Sequence, residues 1–118
     1  MSKVIDSTII IGIASSIQRQ EDLKNELIKF KLELELQIKK TDAQLELFNS
    51  SIKAKFELDG GATSYVTKKR TNIINQLRTF NIGLEDTTEQ IDTINSMIQT
   101  LTINLYNYLR SYLNSQSN

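Results

Sequence analysis

Carboxylates are the first residues in this chain that could do chemistry. Glu85, Asp86, Glu89 and Asp92 lie close together and at first sight form a site. The partners such a site usually needs are missing, because the sequence contains no His and no Cys. A catalytic triad, a thiol nucleophile, and a zinc or haem centre all lose their usual side chains. If the chain folds back on itself, the four carboxylates face Lys29 and Lys31 and are expected to form exposed ion pairs, each contributing about 0.2–1 kcal/mol. A second cluster is basic: Lys53, Lys55, Lys68, Lys69 and Arg70, tempered by Glu57 and Asp59, with Tyr65 the single aromatic among them. Such a patch could grip a phosphate backbone. Cations on a solvated helical face are commonplace, however, and the formal net charge is zero, so the total gives no support to nucleic-acid binding. Gly60-Gly61 lacks the flanking pattern of a phosphate-binding loop. An enzyme is not expected, and no catalytic, cofactor-binding or metal site is assigned.

What would position these groups is a pair of helices. From Val66 to Tyr112, apolar residues recur every seven positions. One series is Val66, Ile73, Phe80, Thr87, Ile94, Leu101 and Tyr108; the other is Leu77, Leu84, Ile91, Ile98, Leu105 and Tyr112, with Arg70 at its start. Alternating steps of three and four mark a helix built to lie along another helix. The chain has no Pro, so no ring clash or missing N–H interrupts it. The one convincing turn is Leu58-Asp59-Gly60-Gly61-Ala62-Thr63-Ser64, where a glycine can take positive φ and Thr63 or Ser64 can cap the next helix. The first arm offers a matching stripe: Leu23, Leu27, Phe30, Leu34, Ile38, Thr41, Leu45, Phe48, Ile52 and Phe56. An extra step of four between Leu34 and Ile38 predicts a stutter that locally unwinds the supercoil. Folding about Gly60-Gly61 pairs Ile52 with Arg70, Phe48 with Ile73, Leu34 with Thr87 and Leu27 with Ile94.

Two alternatives compete with that hairpin. Phe30, Leu32, Leu34, Leu36 and Ile38 alternate with polar residues, as do Ile52, Ala54, Phe56 and Leu58, which is the period of a half-buried strand. Leu, Lys, Glu and Gln favour helix, and we read helix here. The second alternative is a compact intramolecular four-helix bundle. It would break at Ser50-Ser51 and after Gly83, where Asp86-Thr87-Thr88-Glu89 reads as a capping box. The heptad phase passes through Gly83 without a slip, which favours the hairpin.

A helical first arm leaves apolar residues over. Ile28, Leu32, Leu36, Ala43 and Leu47 fall on a second side, roughly 100° or more from the stripe. A hairpin covers one stripe, so the other requires further helices. Charge is also missing from one end: residues 1–18 carry only Lys3 and Asp6, and residues 93–118 only Arg110. In a hairpin these stretches meet, and a solitary coiled coil in water usually dresses its outer face with Glu and Lys. Packing inside an assembly is the preferred explanation, with a membrane surface less favoured. Ile9, Ile10, Ile11, Ile13 and Ile17 are too short a run to span a bilayer, and Ala14-Ser15-Ser16 is a poor signal-peptidase site. Tyr106, Tyr108 and Tyr112 could form an aromatic contact, although Tyr108 and Tyr112 also continue the stripe.

The expected fold is all-α: a long antiparallel helical hairpin, a two-helix coiled coil with a mid-chain Gly-Gly turn, packing into a larger helical bundle or oligomer. Residues 1–118 form one helical domain, with arm one at about 5–58, the tip at 59–63 and arm two at about 64–114. The expected function is structural, that of an assembly subunit with protein partners, either copies of itself or heterologous helices. Its expected interface comprises Ile9, Ile13, Ile28, Leu32, Leu36, Leu47, Tyr106 and Tyr112. Over Leu58–Val66 the chain also resembles the tip of the Trp-X-Gly proteins exported by type VII secretion. Leu58 stands where they have Trp, and the Tyr-then-acid signature is missing after Tyr106 and Tyr108. That resemblance implies a secreted, partner-dependent hairpin. A holdase-like chaperone or adaptor is the remaining alternative; the hairpin shape resembles that of prefoldin subunits, whose β-hairpins have no clear match here.

Overall fold

The structure is a computed structural model and describes residues 7–59 and 64–116, with side chains over 7–52 and 65–116. It contains two α-helices, α1 (Ser7–Asp59) and α2 (Ser64–Gln116), which pack against each other as a helical hairpin. There is no strand among the described residues. The period-two alternation in α1 therefore resolves as helix. Both helices also run unbroken through the positions where a four-helix bundle would have turned, Ser50-Ser51 and Gly83–Glu89. At the second of these positions the hydroxyls of Thr87 and Thr88 bond within the continuous helix. Instead of capping a new helix, they donate to the carbonyls of Gly83 and Leu84 one turn back, at 2.7 and 2.8 Å, a bond that helical backbone allows. The expected Gly60-Gly61 turn lies outside the described residues, as do Lys3 and Asp6 and the side chains of Lys53, Lys55, Glu57 and Asp59.

The chain divides into two compact units, and both helices contribute to each. Unit 1 joins Met1–Ile28 to Glu89–Asn118. Its less exposed positions include Ile10, Ile13, Ile17, Gln20, Lys24 and Leu27 on α1, with Ile91, Ile94, Ile98, Leu101, Leu105 and Tyr112 on α2. Ile94 is its buried apolar residue. Tyr108, expected in the stripe, is 38% exposed.

Unit 2 is Lys29–Thr88. Its seam is formed by Lys31, Leu34, Ile38, Thr41, Leu45, Phe48 and Ile52 on α1, with Val66, Ile73, Leu77, Phe80, Leu84 and Thr87 on α2. Leu34, Thr41 and Thr87 are buried. Leu34 reaches the backbone of α2 beside Gly83, one turn before the Thr87 expected opposite it: a Cβ at Gly83 would stand 3.6 Å from Leu34 Cδ1. Phe48, expected opposite Ile73, has the Lys69 ammonium 5.8 Å from its ring centroid, within cation–π range. The Thr41 hydroxyl donates to the Gln37 carbonyl at 2.7 Å, as Thr87 does to Gly83. Among the described residues no buried side-chain polar atom lacks a partner, so both threonines sit in the seam without a desolvation penalty.

The α2 stripe appears as the sequence predicts except at Arg70 and Tyr108, which are exposed, but the α1 stripe needs a larger correction. The seam positions of α1 run 10, 13, 17, 20, 24, 27, 31, 34, 38, 41, 45, 48 and 52, steps of three and four with no stutter, with Ser16, Glu21 and Ile28 partly covered beside them. Leu23 and Phe30, expected inside, are each 49% exposed. Lys24 and Lys31 take the seam positions beside them, together with Gln20. The reason is the partner: α2 keeps an unbroken heptad, and two helices stay in register only if both do. A lysine can occupy such a position by laying its methylene stem along apolar neighbours while its ammonium reaches water.

Candidate interaction surface

In heptad notation the α1 seam places Ile10, Ile17 and Lys31 at a and Ile13, Leu27 and Leu34 at d. Leu77 and Leu84 are then a, and Ile73 and Phe80 d, on α2. The positions beside the seam are e and g, and b, c and f face outward. This frame locates every residue expected at the interface. Leu32 (b), Leu36 (f) and Leu47 (c) point outward and are 59, 50 and 70% exposed. Ala43 (f) is exposed beside them. Ile28 is an e residue and half-buried, while Ile13 and Tyr112 belong to the seam and are half-buried as well. Ile9 (g) and Tyr106 (b) are exposed in unit 1. The structure thus leaves Ile9, Leu32, Leu36, Leu47 and Tyr106 on the surface and turns Ile13 and Tyr112 inward.

The outer face of α2 in unit 1 was not anticipated in full. Ile103, Tyr106 and Leu113 are all exposed, and their spacing places them with Arg110 on one outward stripe. Asn107, Thr100 and Thr102 around them are exposed and uncharged. Unit 1 contains both charge-poor stretches of the sequence.

The other feature that sequence reading missed is the g flank of unit 2. Phe30, Leu34, Leu36, Gln37, Glu33 and Phe80 line an open groove of about 390 Å³. Lys69, Ile73, Gln76, Thr79 and Phe80 are among the residues lining a second groove of about 470 Å³. Phe80 borders both, so g positions of α1 and α2 lie on the same flank. Glutamine and glycine are inconspicuous in a sequence, and the flank becomes visible only once the phase of α1 is known.

The titratable clusters remain on the surface. Glu85, Asp86, Glu89 and Asp92 are all exposed, as are Lys68, Lys69 and Arg70. Among the described residues no three acidic side chains converge on a point that could hold a metal ion, and no helix is long and apolar enough to cross a membrane.

The more telling observation is how little is buried. Leu34 and Ile94 are the buried apolar residues among those described, and no side chain there is fully buried. The chain exposes 9062 Å² of surface, roughly 2,500 Å² more than the ~6,500 Å² of a compact monomer of its mass. Comparison with protein-family models, with curated proteins and with solved structures finds no match to this chain.

Proposed function

We propose that this chain is a non-enzymatic assembly subunit: a helical hairpin that completes its apolar core by associating with other helices, its own copies or those of a larger protein assembly. The observation that carries this reading is the shortage of buried apolar residues. Two helices of 53 residues each contribute only Leu34 and Ile94 as buried apolar side chains among the described residues. Leu32, Leu36 and Leu47 meanwhile face water on the outer side of α1. Burying a Leu or Ile stabilises by about 1.5–3 kcal/mol, so partner helices have much to offer such a chain. Large exposed apolar patches on helical proteins mark interaction surfaces. In unit 1 the same logic applies to Ile9 and Tyr106, set among mostly uncharged polar residues, whose burial costs less than that of ions.

The test is mass in solution by light scattering and sedimentation, for the full chain and for the double variant Leu32→Glu, Leu36→Glu. The expected result is a wild-type mass of more than one chain, reduced in the variant without loss of helix by circular dichroism. A chain that stays monomeric at millimolar concentration, and melts cooperatively at a temperature independent of concentration, would overturn the reading.

A further inference from the structure

We infer that the g flank of unit 2 is the seat of a second copy of this chain, giving a two-fold dimer of hairpins. The inference rests on the assembly reading above and goes beyond it by naming the partner and the face. On this flank α1 presents Phe30, Gln37 and Gln44, and α2 presents Gln76, Gly83 and Lys69. Lys69 is the one charged residue among them, and its ammonium is already directed over the Phe48 ring. Glu33, at the adjacent c position, also lines the groove of Phe30 and Phe80, so the flank carries one ion of each sign. Elsewhere around α1 the surface carries more, including Glu35 and Asp42 at e and Lys39 and Glu46 at b.

Three observations point to a second copy as the occupant. A two-fold interface sets a face against itself, so a face bearing ions of one sign would repel its twin. Glutamine amides both donate and accept, which makes Gln37, Gln44 and Gln76 complementary to their own kind. A charged foreign helix would instead strand its ions here. The chain as a whole also has surface to give: its excess of roughly 2,500 Å² over a compact monomer, spread over both units, exceeds the ~800 Å² that each partner buries in an interface of standard size.

The third observation is Gly83. Glycine inside a helix is less favourable than alanine, and α1 does not require it. A methyl group at Gly83 would meet Leu34 at 3.6 and 3.7 Å, ordinary van der Waals distance. The hairpin alone would therefore accept alanine. A missing side chain at g leaves a notch beside the groove of Phe30, Leu34 and Phe80, where the backbone of a second copy can approach closely.

Sedimentation equilibrium on the full chain tests this with three variants. Phe30→Glu is expected to weaken dimerisation roughly 100-fold while leaving helix content intact, since Phe30 is half-exposed within one chain. Gly83→Ala is expected to weaken it roughly tenfold by overfilling the notch, while raising the melting temperature of the dilute chain. Leu32→Glu, at b on the side away from g, is expected to dimerise as wild type. An oligomer whose dissociation constant is unmoved by both Phe30→Glu and Gly83→Ala would overturn this inference alone and leave the assembly reading standing. A wild-type chain monomeric at millimolar concentration would remove both. Should Phe30→Glu lose helix, Gly83→Ala decides, because unchanged or tighter dimerisation in that variant contradicts the notch.

Discussion

α1 and α2 are equal in length, 53 residues each, yet they reach the same seam by different means. In α2 the apolar residues are weighted to one side and that side forms the seam, although Ile82, Met97, Ile103, Tyr106, Leu109 and Leu113 stay exposed. In α1 they are spread around the helix. The seam there is completed by Gln20, Lys24 and Lys31, while Leu23, Phe30, Leu32, Leu36 and Leu47 remain at the surface. The difference teaches that one helix of a pair can set the phase for both. α2 imposes an unbroken heptad, and α1 follows it even where that puts a lysine inside and a phenylalanine outside.

The sharpest way to break this comparison is to truncate the neighbours Leu34 and Phe30. Leu34→Ala should cost about 2–3 kcal/mol, read by urea unfolding at low chain concentration. Phe30→Ala should cost less than about 1 kcal/mol in the same dilute experiment. The reverse order would restore the stutter and refute the phase assigned to α1. A smaller effect is expected at Lys31. Shortening the stem while keeping a charge, as in Lys31→Asp, should destabilise by about 1–2 kcal/mol. Lys31→Leu should instead raise the thermal midpoint by filling the seam. On α2, Gly83→Ala should stabilise the dilute chain by about 0.5–1 kcal/mol, because it restores helix propensity where the methyl has room; a destabilised variant in thermal melts would mean α1 already uses the notch. The smallest change is expected for Leu47→Ser, within about 0.5 kcal/mol in dilute solution. A larger loss would place Leu47 in a core that the hairpin does not supply.

These residues also show how far the sequence could be read. The seam of α2 was legible over most of its length because the apolar series from Val66 through Ile73, Leu77 and Phe80 keeps one heptad phase as far as Leu105. Near Tyr108 the outward Ile103, Tyr106 and Leu113 compete with it. Two helices followed from that series together with the absence of proline. The phase of α1 was not legible: Leu23 and Phe30 outrank Lys24 and Lys31 on any scale of hydrophobicity, and the deciding term lies in the partner. Of the expected surface residues, Leu32, Leu36 and Leu47 were found because they stand far around the helix from either candidate stripe. Tyr112 reads in the sequence both as a continuation of the stripe and as an interface residue, and its half-buried place in the seam agrees with the stripe. Ile13 reads only as an interface residue, and its seam position shows once the phase of α1 is known. The g flank escaped notice because Gln37, Gln76 and Gly83 carry no conspicuous signal until Phe30 is moved beside them.

The threonines of α2 carry a last consequence. Thr71, Thr79, Thr93, Thr100 and Thr102 are exposed, and each hydroxyl donates to the carbonyl one turn back at 2.7–3.1 Å. A hydroxyl supplied with its acceptor by its own helix does not depend on water for one. Drying such a surface therefore costs less than its composition suggests. Polar by count, these five positions have a low demand for hydration.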